Sequence, residues 1–180
     1  MIKRLMRQGY MLMRAAAVAS AALALAGCSP DYNWRAVTVG DGIATGFFPD
    51  RPRVQERTVS YDGHDIVFSM SAASVAGALF TVSYAVLPPP LAQDAQAAAR
   101  LGQSVQGSLY QNLGASLPEN LPLFGERFDI RGSPAGKPIR LQGAVWLTSG
   151  VLVEGAVVAD AASYPEEQAR QFFQGLQVGR

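Results

Sequence analysis

The run Phe80-Thr81-Val82-Ser83-Tyr84-Ala85-Val86-Leu87-Pro88-Pro89-Pro90-Leu91 contains the change of period that decides the fold class. Up to Val86 the large side chains fall at every second residue. Phe80, Val82, Tyr84 and Val86 then share one face of a strand, with Thr81, Ser83 and Ala85 on the other. The prolines stop the ladder because they have no amide proton to donate. Beyond them Leu91, Ala95, Ala98, Leu101, Val105, Leu109 and Leu113 recur every three or four residues. This spacing predicts a helix over 91–113, ended by Gly114. Gly102 and Gly107 each weaken it by about 1 kcal/mol relative to Ala. Tertiary packing must therefore hold this helix, or its glycines let it approach a sheet closely.

Working outward, 34–39 and 43–48 read as strands around Gly40-Asp41-Gly42, and Pro49-Asp50-Arg51-Pro52 turns the chain. Segments 54–61 and 66–71 flank Asp62-Gly63-His64-Asp65, where Asp-Gly favours positive φ and closes a hairpin. After the helix, 117–123 is a loop with Pro118 and Pro122. Segments 124–131, 139–147 and 151–158 read as strands joined by turns at 132–138 and 148–150. The last helix begins at Ser163, with Glu166 completing a capping box and Pro165 in the first turn. Ala169, Phe172, Phe173 and Leu176 form its apolar side. This order predicts an α+β domain: a mainly antiparallel sheet with two packed helices, preceded by a signal helix.

The chain has 180 residues, 49% hydrophobic and 16% charged, with 15 Lys plus Arg against 14 Asp plus Glu. Disorder is excluded by the apolar content, and a disulfide scaffold by the single Cys. A net charge of +1 argues against a nucleic-acid partner. Residues 1–27 hold Lys3, Arg4, Arg7 and Arg14 and no acid, which leaves 11 basic and 14 acidic groups downstream.

The basic stretch 1–14 precedes an apolar run over 15–26, the layout of an export signal. The run is too short for a membrane-spanning helix, which needs about 20 apolar residues. Leu25-Ala26-Gly27-Cys28 resembles the lipobox of bacterial lipoproteins. The resemblance implies cleavage between Gly27 and Cys28, a diacylglyceryl group on the Cys28 thiol and an N-acyl group on its amine. Small Ala26 and Gly27 let an extended backbone enter a protease, and only a thiol is nucleophilic enough for the thioether. Several acyl chains hold a protein at a bilayer where one does so only marginally. Segment 28–33 is then a lipidated tether and 34–180 a single domain. Ser29 after the Cys resembles the signal for the inner leaflet of the outer membrane, facing the periplasm. The alternative is the periplasmic face of the inner membrane.

The mature region resembles a second family. Gly46-Phe47-Phe48-Pro49, the strand ending Tyr84-Ala85-Val86-Leu87-Pro88, the long helix, the Arg131-Gly132-Ser133-Pro134-Ala135-Gly136-Lys137 turn and Phe172-Phe173-Gln174-Gly175-Leu176 together look like the PsbP-like sandwich. The likeness spans nearly all of 43–178. It implies a fold whose members are mostly accessory and binding proteins, and it carries no catalytic residue across.

The chemistry-bearing residues point away from catalysis. His64 is the sole imidazole and stands in a hairpin turn, where a triad or metal site would need distant partners. Acylation of Cys28 removes the only thiol, and no zinc spacing exists. Asp62 and Asp65 read as solvated turn acids, and nothing resembles an EF-hand. Segment 40–46 misses the dinucleotide spacing, and no Gly-x-Ser-x-Gly elbow occurs. No catalytic residue, metal ligand or non-covalent cofactor is therefore expected. Arg51, Arg53 and Arg57 share parity; if the strand extends that far, they line one face and engage anionic head groups, glycan phosphates or a partner's carboxylates. The alternative is a solvated strand edge whose charges block aggregation. Arg127, Asp129 and Arg131 form an alternating-charge face of the structural kind.

Three functions fit. The first is a non-enzymatic lipoprotein with a binding or accessory role beside an envelope protein or glycan. The second is a carrier or sensor of a small apolar ligand held between sheet and helix, suggested by the small residues of 91–113. The third is a hydrolase of unrecognised type.

Overall fold

The computed structural model describes residues 31–179. The expected signal segment, Gly27 and Cys28 lie outside them. Among the described residues, β1 (Arg35–Val39), β2 (Ala44–Phe48) and β9 (Gln177–Val178) form a small antiparallel sheet in the order β1-β2-β9. A six-stranded antiparallel sheet contains β3 (Arg53–Tyr61), β4 (His64–Val75), β5 (Ala78–Val86), β6 (Arg127–Gly132), β7 (Ile139–Thr148) and β8 (Val151–Asp160), in the order β3-β4-β5-β8-β7-β6. The helices are α1 (Pro89–Gln93), α2 (Ala95–Asn112) and α3 (Glu166–Gly175). The architecture is thus α+β with two antiparallel sheets.

Two three-stranded meanders meet at the centre, where β5 pairs with β8. Their tight turns are X-Gly pairs with both residues at positive φ: Asp62-Gly63, Ala76-Gly77 and Ser149-Gly150. That geometry matches the strand twist and is the usual two-residue hairpin. The helical crossover 89–112 carries the chain from central β5 to β6 at the far edge.

Each face of the large sheet has its own core. On one, Ala97, Ala98 and Leu101 of α2 pack on Ile130, Leu141, Val145 and Leu152. On the other, Ala169, Phe172 and Phe173 of α3, with Val39, Ala44 and Phe48 of the small sheet, pack on Phe80, Val82, Val153 and Val157. Tyr32 stacks on Trp34 with ring centroids 6.2 Å apart, so packing begins inside the expected tether. Both cores and every ladder lie from Tyr32 onward, in one compact unit. No helix among the described residues is long and apolar enough to cross a membrane.

Several boundaries differ from those expected. The helix over 91–113 is two helices broken at Asp94. The Asp94 side chain accepts from the amides of Gln96 and Ala97, both at 2.9 Å, and caps α2. The hydrogen bond from Ala97 is the largest influence holding the Asp94 pKa below its ordinary value. Strand β4 runs to Val75, well past residue 71, and β6 starts at Arg127 rather than 124. The expected capping box does not form: α3 begins at Glu166 with Pro165 as N-cap and no side-chain cap. Glu166 turns its carboxylate to Arg140 instead, where a nearly buried guanidinium outcompetes a backbone amide.

Candidate functional site

The six-stranded sheet is wider than the helix that covers it. Helix α2 lies over the β7 side, and the β3–β4 hairpin extends past its flank. Between them is a groove of about 710 Å³. Val59, Phe68 and Met70 from the sheet and Leu101, Val105 and Leu109 from the helix supply its apolar walls. The helical residues repeat at three or four and so share one face, with Ser104, Ser108 and Asn112 beside them.

The strand register lays out the floor. Gln55 pairs with Met70, Met70 with Ser83, Ser83 with Glu154, and Glu154 with Val145. One row therefore crosses the sheet from an exposed Gln to a carboxylate at its centre. Glu154 is half-buried, lines the groove and has no hydrogen-bond or ion-pair partner among the described residues. Desolvation pushes its pKa up to about 7. The Ser104 hydroxyl donates to the Arg100 carbonyl at 2.9 Å and that of Ser108 to the Val105 carbonyl at 2.7 Å. Their protons are committed, so toward the groove both oxygens act as acceptors.

A second concavity, of about 440 Å³, lies where β6 and β7 meet α3. It is closed chemically. The Arg140 Nε donates to both Asp129 oxygens, at 3.0 and 2.9 Å, and its Nη1 pairs with Glu166. The guanidinium also lies 4.5 Å from the Tyr164 ring centroid. Burial alone would raise the Asp129 pKa, but the hydrogen bonds from Arg140 and Gln142 and the charges of Arg140 and Arg131 together outweigh it and lower it. Glu167 pairs with Arg170. The carboxylates lining this hollow are spent on the fold.

Of the expected site residues, Arg51 lies in the turn before β3, with its amide donating to Asp50 at 2.7 Å. It does not join the strand face. Arg53 and Arg57 do share that face, and Arg57 stands at the groove's rim beside exposed Glu56. His64 opens β4 opposite Tyr61. Asp65 accepts a hydrogen bond from Ser60. The face of Arg127, Asp129 and Arg131 proves structural at Asp129. Among the described residues no group of three or more His, Cys, Asp or Glu is placed to hold a metal.

Sequence reasoning missed Glu154. Its signal was the one charge inside Val151-Leu152-Val153-Glu154-Gly155-Ala156-Val157-Val158-Ala159, a strand apolar on both faces, where an ionisable group is costly unless used. The chain matches no family model, no curated protein and no solved structure.

Proposed function

We propose that this chain is a non-enzymatic lipoprotein of the cell envelope, tethered through acylated Cys28, that holds a small apolar ligand in the groove beneath α2. The groove carries the reading: an apolar cleft of ligand size with few polar groups is the usual form of a small-molecule site. Isolated His64 and the absence of a nucleophile motif favour binding over turnover. The tether rests on Leu25-Ala26-Gly27-Cys28 and the apolar run before it. Ser29 favours the inner leaflet of the outer membrane. The order of meander, long helix, three strands and terminal helix supports a PsbP-like sandwich.

Native mass spectrometry of the gently extracted protein tests both parts. Intact mass should show acyl groups on a chain beginning at Cys28, plus a retained apolar molecule that is lost when Val105→Trp fills the groove. Cys28→Ser should leave an uncut or water-soluble product. A protein that is always empty, or that keeps residues 1–27 and an unmodified thiol, would contradict the corresponding part.

A further inference from the structure

Resting on the ligand-site reading above, we infer that the groove selects amphiphiles with a positively charged amine head, taken head-first to Glu154, with the apolar chain lying between β4, β3 and α2. Three observations converge. Glu154, half-buried on a central strand, is a carboxylate without a partner among the described residues, set between Ser83 and Val145 in the sheet. On the helix wall the oxygens of Ser104 and Ser108, whose own protons are bonded to the helix, add two acceptors to the carboxylate; the donors of Gln55 and Arg57 come from β3, three strands away from Glu154. The same groove places Met70, Phe68 and Val59 of the sheet opposite Leu101 and Val105 of the helix, which suits an apolar chain.

The competing charges are few. From β3 the groove meets Glu56, Arg57 and the phenol of Tyr61; β4, β5, β7 and α2 present no charged group beside Glu154, only Met70, Phe68, Ser83, Val145 and the helix residues already named. Arg57 is three strands from Glu154, roughly 14 Å at ordinary strand spacing, and so does not neutralise it. A carboxylate ligand would meet Glu154 as a like charge. An alcohol would gain a hydrogen bond without the ion pair, and an ammonium gains both. Because burial holds the Glu154 proton into the neutral range, amine affinity should rise as the pH climbs through about 7 and the carboxylate ionises.

The test titrates the unit from Tyr32 onward with decylamine, decanol and decanoate below their micelle concentrations, at pH 5.5 and 8.0. Decylamine should bind about tenfold more tightly than decanol at pH 8.0, the ratio a charge-assisted hydrogen bond worth about 1.4 kcal/mol provides. That ratio should shrink toward one at pH 5.5 and in Glu154→Gln, with decanoate weakest at pH 8.0. Retention of the preference in Glu154→Gln, or equal binding of all three, would overturn the amine inference and leave the ligand site standing. Binding of none would overturn both. Circular dichroism of Glu154→Gln, with Ser83→Ala as a second groove variant, separates lost selectivity from lost fold.

Discussion

The two faces of the six-stranded sheet are built from opposite materials. Under α3 and the small sheet, Phe172 meets Phe48, Phe80 and Phe173 edge-on, with centroids 5.5, 5.6 and 5.3 Å apart. At that face's edge the nearly buried guanidinium of Arg140 is paired on both sides. Under α2 the helix presents Ala97, Ala98 and Gly102, the sheet outruns its cover, and the central carboxylate is unpaired. Bulk and satisfied charge close the first face. A sheet broader than its helix and an unpaired carboxylate leave the second open. Unpaired, desolvated carboxylates cluster at functional sites, which is why the groove reads as the working face.

The largest blow to this contrast falls on the closed side. Phe172→Ala should cost about 3–5 kcal/mol, read from the guanidinium midpoint at unchanged m-value. A loss below about 1 kcal/mol would mean that the aromatic cluster does not hold this face.

The open side should reveal itself in the pH dependence of stability. Glu154 has a folded pKa of about 7, raised above its ordinary carboxyl value of 4.5, so between those values the folded state keeps a proton that the unfolded state loses. Stability should therefore fall as pH rises through this window, by up to about 3 kcal/mol, and level off above it. Glu154→Gln should flatten the curve and be the more stable protein at pH 8. Denaturant titrations at pH 5 and pH 8 decide, and a wild-type curve as flat as the variant's would mean that the carboxylate is not desolvated.

A smaller effect sharpens the closed edge. Arg140→Met strands Asp129 and Glu166 and removes the cation over Tyr164, for a loss of about 2 kcal/mol, tempered because both carboxylates reach solvent. Thermal unfolding should show the loss to be greater than that of Arg170→Met, whose pair with Glu167 is exposed at both ends.

Finally, the glycines of α2 should split in sign. A Cβ at Gly102 would stand 2.6 Å from the Phe124 ring, whereas at Gly107 it meets only Leu117 at 3.5 Å. Gly102→Ala should destabilise by about 1 kcal/mol after its propensity gain, and Gly107→Ala should stabilise by about 0.5–1 kcal/mol. Equal effects in the two melting curves would remove the close approach as the reason for Gly102.

Much of the fold was written in local pattern. The alternation from Phe80 to Val86 and the turns at Asp62-Gly63 and Ser149-Gly150 give β5 and two hairpins directly. Ala76-Gly77 was not legible, because Ala76 lacks the Asn or Asp side chain that marks such a turn, and β4 runs past the expected end. The break at Asp94 was hidden because Leu91 and Ala95 keep helical spacing across it. The capping box at Ser163 failed because the helix starts at Glu166, with Pro165 rather than Ser163 as its N-cap, and the Glu166 carboxylate pairs with Arg140, 26 residues away in sequence. The small residues of 91–113, which suggested a ligand site, pack in the core instead, and the groove is lined by Leu101, Val105 and Leu109 of the same helix. Glu154 required knowing which strand lies at the centre of the sheet, and pairing of β5 with β8 is a non-local fact.

The most direct test of the central claim is amide chemical-shift mapping of the unit from Tyr32 onward during titration with decanol. Saturable shifts confined to β3, β4, β5, β8 and residues 101–112, with the α3 face silent, are the expected result. Shifts centred on α3 and the small sheet, or none at any concentration below micelle formation, would contradict it.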